Sequence, residues 1–191
     1  ARQIRDQYKS LLSKGIDPSD WKKNQKKKNF LESNTNLTIK DVVSSINVKS
    51  IIIAAGLGSR LKGYTEALPK CMLMFGDKTL LERQLEVYEG CGIKDISVVR
   101  GFKKEKINYE GLNYYDNTDY YNNNILNSLF YAEEVINGNV IISYSDILFD
   151  ANVVSRLLES NADISIVVDI DWRGYYVDRK DHPISEADEQ V

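Results

Sequence analysis

The sequence predicts an α/β domain on a mostly parallel sheet covered by helices, preceded by a short helical appendage at residues 1–47. Three observations carry that prediction. Short aliphatic, β-branched runs recur between residues 48 and 171, segments with apolar residues at helical spacing separate them, and the texture of the chain changes at Val48. A length of 191 residues suits one domain with an appendage, or two small ones.

In the appendage, "RQIRDQYKSLLS" (2–13) places Ile4, Tyr8, Leu11 and Leu12 on one helical stripe that Gly15 stops. "WKKNQKKKNF" (21–30) sets five lysines between two aromatics and reads as a solvated helix face or linker, with a nucleic-acid patch as the sharper alternative. "TIKDVVSSI" (38–46) is a second short helix, with Thr38 and Asp41 resembling a capping pair.

The body begins with "VKSIIIAA", a central strand covered on both faces. "TLLERQLEVYEGCGI" (79–93) is a helix carrying Leu80, Leu81, Leu85 and Val87–Tyr88, stopped by Gly90 and Gly92. "DISVVRG" (95–101) is a second strand, "KKEKI" begins a short helix, and "LNYYDN" (112–117) is a third strand. "NNILNSLFYAEEVIN" (123–137) is helical, with Ile125, Leu129, Tyr131–Ala132 and Ile136 on its apolar side. "NVIISYSD" (139–146) is a fourth strand, "DANVVSRLLES" (150–160) a helix with Asp150 as N-cap, and "ADISIVVDID" (162–171) a fifth strand.

Charge divides the chain. Residues 1–50 hold 11 Lys/Arg against 5 Asp/Glu, while residues 51–191 hold 14 against 23. An acidic body is a poor general binder of nucleic acid, which restricts any such role to the first 50 residues. Cys71 and Cys91 show no metal spacing and no CxxC, and fit reduced thiols of a cytoplasmic protein. No apolar run approaches the ~18–20 residues of a membrane helix, and no signal-peptide h-region is present. The first residue is Ala rather than Met, as expected of a piece of a longer protein.

The chemistry concentrates in "AAGLGSRLKGYTEALPKCM" (54–72), directly after the first strand of the body. In a parallel α/β sheet, ligands sit beyond the carboxyl ends of the strands. Gly56 and Gly58 let backbone approach a ligand, with N–H groups free to face phosphate oxygens. The dinucleotide fingerprint fails because Leu61 stands where its third glycine belongs, and the Walker pattern is absent. Arg60 offers a planar fork for phosphate oxygens and Lys70 a compact point charge. Two cations around a glycine loop suit a triphosphate.

"AAGLGSRL…T…LPKCM", followed by "LLERQLEVYEGCGIKDISVVRGFKKEKI", resembles the sugar-nucleotidyltransferase superfamily, and within it the cytidylyltransferases acting on phosphocholine and on phosphonates such as 2-aminoethylphosphonate. The likeness covers residues 48–170. It implies a Rossmann-like nucleotidyltransferase fold over residues 48–191, CTP as donor, a small phosphorylated or phosphonate acceptor, Mg²⁺ and release of pyrophosphate. It also implies that Ala54, Ala55, Gly56, Leu57, Gly58 and Ser59 cradle the nucleotide and that Arg60 and Lys70 contact its phosphates.

"YNNNILNSL" resembles the family's turn into a helix near base and sugar, which points to Asn124 and Ser128, with N-capping as the alternative for the asparagine. Asp146, at the end of "VIISYSD", matches the family's metal-binding aspartate. Relatives of this kind run about fifty or more residues further and take a second carboxylate from there, so the domain is expected to be incomplete at its C-terminus unless Asp169 or Asp171 substitutes.

For the acceptor, "YYDNTDYYNNN" (114–124) offers Tyr120 and Tyr121 as faces for an ammonium group, and residues 168–191 offer Arg173 and Arg179 in a lid-like segment. A plain surface loop is the alternative for both. The nucleophile is an anion near neutral pH, since a phosphate monoester has its second pKa near ~6, so no general base is required. His182, beside Pro183, reads as a loop residue. Competing functions are a uridylyl-, guanylyl- or thymidylyltransferase on a sugar 1-phosphate and a nucleotide-binding regulatory module without catalysis. A homo-oligomer is compatible with any of them.

Overall fold

The computed structural model describes residues 47–176 and the single positions 14, 43 and 184. The helices expected at 2–13 and 38–46, the lysine-rich stretch and the residues from 177 onward lie outside the described residues, apart from Val43, which is helical and buried, and Ile184. The chain divides into two compact units, residues 1–159 and residues 160–191.

In the first unit the strands are β1 (Val48–Ala54), β2 (Met74–Phe75), β3 (Lys78–Thr79), β4 (Asp95–Arg100), β5 (Asn113–Asp116) and β6 (Asn139–Tyr144). Its helices are α1 (Leu80–Gly90), α2 (Ile125–Phe130) and α3 (Ala151–Glu159). Four strands form a parallel sheet in the order β5-β4-β1-β6, and β2 and β3 form a small antiparallel hairpin.

Successive residues of a strand face opposite sides of its sheet, which is why the second half of β1, Ile51–Ala54, is an unbroken aliphatic run. Ile52 joins Leu81, Leu85, Tyr88 and Val154 on the side of α1 and α3, while Ile51 joins Val99, Ala132 and Val135 on the other. Each large apolar side chain fully buried in this way contributes about 1.5–3 kcal/mol. Helix α1 starts at a capping box: Thr79 Oγ1 accepts from Glu82 N (3.1 Å) and Glu82 Oε2 accepts from Thr79 N (2.7 Å).

The connections explain where a ligand belongs. From β1 to β4 the chain crosses through α1, and Ile107, on the way from β4 to β5, packs on that same face. From β5 to β6 it crosses the opposite face, through α2 and a 3₁₀ turn at Glu133–Val135. The strand order therefore reverses between β1 and β6, and the carboxyl ends of these two strands form the crevice that open α/β sheets use for ligands.

Two expected elements differ. The segment 123–137 is not one helix but the six-residue α2 followed by the 3₁₀ turn. Ser128, Ala132 and Val135 face inward, while Ile125 and Ile136, expected on the apolar side, are 55% and 40% exposed. The break after Phe130 rotates the stripe, and Asn117 draws Ser128 inward by a hydrogen bond of 2.9 Å. The fifth strand expected at 162–171 is absent: in the second unit, Ile164 and Ile170 are 83% and 89% exposed and no strand occurs among its described residues. β-branched composition favours a strand only where another strand pairs with it. Among the described residues, no helix is long and apolar enough to cross a membrane.

At the carboxyl end of β5, Asp116 accepts from Lys104 Nζ and Arg100 Nε, both at 2.9 Å, and the Arg100 guanidinium lies 3.9 Å from the centre of the Tyr114 ring. Partial burial pushes the Asp116 carboxyl up, but its bonds to Lys104 and Arg100 outweigh that and hold it below its ordinary value of 3.8. A depressed folded value stabilises the fold above the unfolded pKa and loses that contribution as pH falls through the folded one. Asp116→Asn is therefore expected to lower Tm at pH 7, with the difference from wild type shrinking as pH falls below the ordinary carboxylate value, as melting curves across an acid pH series would record.

Candidate active site

Three segments meet at the β1/β6 crevice, and a fourth starts beside the carboxyl end of β4. The first is the glycine loop, which leaves β1 at Ala55 and enters a 3₁₀ helix at Ser59–Tyr64. Gly58 adopts a left-handed conformation (φ 64°), and a Cβ there would sit 3.0 Å from Thr65 Cγ2. Thr65 is buried, its Oγ1 donates to Gly58 O (2.8 Å), and Leu61 N donates to the same carbonyl (2.9 Å). That clamp accounts for Thr65 in the motif. At Gly56, by contrast, a Cβ would meet no protein atom within 4 Å, so the absent side chain leaves open space over the loop. Arg60 is the second residue of the 3₁₀ helix and so stays within two positions of Gly58.

The base of the loop is pinned by a residue that the sequence reading passed over. At Gly101, which follows β4, a Cβ would fall 2.6 Å from Ala55 O and 2.9 Å from Ala55 Cβ. Phe102 N donates to Ala55 O at 3.3 Å. A glycine ending the second strand was the available signal, and its meaning depends on which backbone lies beside it.

The second and third segments meet across the crevice. Lys70 opens a 3₁₀ turn at Lys70–Met72 after Pro69, and its Nζ reaches Asp146 Oδ2 at 2.5 Å, with both side chains about one-third exposed. Asp146 sits in the turn just past β6, where Ser145 N donates to Ile53 O (3.1 Å) and so ties that turn to β1. Helix capping does not occupy Asp146, because α3 is capped by Asp150, whose Oδ1 accepts from Asn152 N (2.9 Å) and Val153 N (3.2 Å). Behind this pair, burial pushes the Cys71 thiol up to about 12, and neither Cys71 nor Cys91 forms a disulfide.

The fourth segment is the approach to α2. Asn124 is exposed and caps the helix, its Oδ1 accepting from Asn127 N at 2.9 Å. Ser128 is buried, accepts from Asn117 Nδ2 (2.9 Å) and donates to Asn124 O (3.1 Å). Asn117, 2% exposed, also exchanges hydrogen bonds with the Asn123 amide (3.0 and 3.1 Å) and accepts from Asp119 N at 2.9 Å. These bonds shape the whole Asn-rich loop, yet Asn117 looks like one polar residue among many in sequence. A cavity of about 560 Å³ lies beside it, lined by Gly101, Phe102, Lys103, Lys104 and Tyr120 among others.

Residues 50–182 match the MobA-like NTP transferase domain family. The chain belongs to that family. Among curated relatives of this MobA-like domain, the CTP:phosphoglutamine cytidylyltransferase of Campylobacter jejuni is 32% identical over 74% of this chain and 60% of its own. The choline-phosphate cytidylyltransferase of Streptococcus pneumoniae is 35% identical over 53% of this chain and 46% of its own. A solved structure, that of the CTP:phosphocholine cytidylyltransferase from Streptococcus pneumoniae, superposes with a TM-score of 0.51 at 33% identity, covering 55% of this chain and 50% of that one. The chain thus spans about half to three-fifths of the length of these relatives.

In this MobA-like domain, no group of three or more His, Cys, Asp or Glu able to hold a metal occurs among the described residues. A carboxylate at the crevice suits Mg²⁺, which takes one or two carboxylates and completes its shell with phosphate oxygens and water. Asp146 therefore fits a metal that arrives with a triphosphate, and does not fit a preformed protein cage. Of the acceptor candidates, Tyr120 and Tyr121 have ring centres 6.0 Å apart and Tyr121 is 73% exposed. In the second unit, Arg173 lies 5.3 Å from the Trp172 ring, Asp169 Oδ1 accepts from Asp171 N (2.9 Å), and Arg179 and His182 lie outside the described residues.

Proposed function

We propose that the chain carries the site of a Mg²⁺-dependent cytidylyltransferase, which moves CMP from CTP to a small phosphorylated or phosphonate acceptor and releases pyrophosphate. The observation that carries this reading is the Lys70–Asp146 pair at the β1/β6 switch point, with Lys70 beside the glycine loop: a Cβ added at Gly58 would lie 3.5 Å from Lys70 Cβ. The cytidylyltransferases among its relatives support CTP as the donor.

An acceptor oxygen attacks the α-phosphorus of CTP; the new O–P bond forms as the bond to pyrophosphate breaks and its electron pair leaves with pyrophosphate. The acceptor is already ionised, so the protein need not remove a proton. Its task is to hold two polyanions together and to offset their repulsion. Backbone N–H groups of the loop at Gly56–Ser59 face the phosphates, and Arg60 forks onto their oxygens. Lys70, paired with Asp146 here, turns to the triphosphate as the more highly charged partner. That exchange frees the Asp146 carboxylate for Mg²⁺, which when bound neutralises charge developing on the phosphate oxygens.

Tyr120 and Tyr121 are the candidates for a cationic head group on the acceptor, bound by cation–π attraction. Cys71 and Cys91, both buried and neither in a disulfide, agree with a reducing cytoplasm as the site of action.

The test is pyrophosphate release with CTP and, in turn, phosphocholine, 2-aminoethylphosphonate and phosphoglutamine as acceptors. Turnover with one of the three, and none when UTP, GTP or dTTP replaces CTP, is the expected result. Turnover with UTP, GTP or dTTP and a sugar 1-phosphate instead would overturn the cytidylyl assignment.

A further inference from the structure

Helix α1 carries Gln84 on the face it buries, 1% exposed among Leu81, Leu85 and Tyr88, where packing alone asks for an aliphatic residue. Its amide is fully engaged. Nε2 donates to Tyr144 O (2.9 Å) and to Ile147 O (2.6 Å), and Oε1 accepts from Ser143 Oγ (3.3 Å). The two carbonyls bracket Ser145 and Asp146, the turn that follows β6. One planar amide bonded to both fixes the separation of the turn's ends, while Ser145 N is fixed to Ile53 O from the β1 side. Asp146 is thus the one-third-exposed side chain of a short turn tied at each end.

Resting on the cytidylyltransferase reading, we propose that Gln84 is a positioning residue for Asp146, holding its carboxylate where it shares a divalent cation with the triphosphate. Gln84 touches neither substrate nor metal in this arrangement. It acts through the backbone of residues 144–147, and its effect is felt in metal binding and not in nucleotide binding as such.

The test is titration calorimetry of Mg²⁺ into the full chain saturated with a non-hydrolysable CTP analogue, in wild type, Gln84→Met, Gln84→Glu, Asp146→Ala and the double variant Gln84→Met/Asp146→Ala. Groups that orient a metal ligand typically change metal affinity by about 10–100-fold, and a loss of that order is expected for Gln84→Met, with metal-free affinity for the analogue unchanged. In the double variant, the Gln84 change should add nothing to Asp146→Ala, because residues acting through one group are not additive. Gln84→Glu keeps the shape but sets a carboxylate against two carbonyls, so it should show the same loss and decides the matter if the Met variant does not fold. A variant that melts earlier but titrates Mg²⁺ like wild type, or losses that add in the double variant, would overturn the Gln84 assignment alone. Wild type that takes up no Mg²⁺, or Asp146→Ala that titrates like wild type, would instead remove the metal reading on which the assignment stands.

Discussion

Asp146→Ala is expected to lower pyrophosphate release by about 10²–10³-fold, the usual cost of removing one electrostatic contributor to a transition state, while leaving the melting temperature nearly unchanged. The small effect on folding follows from the pair itself. Lys70 and Asp146 are each about one-third exposed, and ion pairs of that kind contribute only about 0–1 kcal/mol. Gln84 and the Ser145–Ile53 bond hold the turn independently of the carboxylate. Lys70→Ala should behave alike, with the loss falling partly on KM for the nucleotide, since Lys70 is assigned to the phosphates. Parallel kinetics and melting curves check both. A variant that loses stability and activity together would mean that the pair is a structural tie.

The second large effect separates Gly101, which follows β4, from Gly56 of the glycine loop. Gly101→Ala drives a Cβ to 2.6 Å from Ala55 O and 2.8 Å from Tyr120 Cβ, atoms that cannot swing aside as a flexible side chain would. Overpacking of this kind costs about 1–3 kcal/mol, and relief by a shift of Ala55 moves the loop itself, so both Tm and CTP affinity should fall. Gly56→Ala meets no protein atom within 4 Å, so its folding should change by only a few tenths of a kcal/mol. If the space over Gly56 receives phosphate oxygens, that variant nonetheless loses CTP binding. Melting curves with and without CTP distinguish the two, and a Gly56→Ala protein that binds CTP normally would show that the ligand does not lie against this loop.

Much of the architecture was legible in the chain because burial on both faces imposes a continuous aliphatic run. "SIIIAA" and "DISVVR" could be little else than inner strands of a covered sheet, and Asp150 caps α3 as its position beside an apolar stripe suggests. Where pairing decides, composition misleads. "ADISIVVDID" has the same β-branched character as β4, yet lies exposed without a partner strand among the described residues. The Thr79–Glu82 capping box, which the helical reading of 79–93 did not include, fixes where α1 begins.

At the site, the residues drawn from the motif fall into two groups. Lys70 and Asp146, 76 positions apart, are brought to 2.5 Å. Asn124 and Ser128 do structural work visible here as a helix cap and a buried hydrogen bond to Asn117. Gln84, Gly101 and Asn117 escaped notice. Gln84 and Gly101 are defined by partners distant in sequence, the carbonyl of Tyr144 and the backbone of Ala55. Asn117 is defined by bonds to Asp119, Asn123 and Ser128 that its own polar, Asn-rich surroundings do not mark out.

The claim that the β1/β6 crevice is a CTP site is tested most directly by melting the chain with CTP, UTP, ATP or GTP in the presence of Mg²⁺, beside Arg60→Ala. A ligand at about 100 times its Kd stabilises a protein by roughly 2.7 kcal/mol, well within reach of a melting curve. The account predicts a shift with CTP alone, lost in Arg60→Ala. An equal shift with all four nucleotides, or a CTP shift that survives in Arg60→Ala, would contradict it.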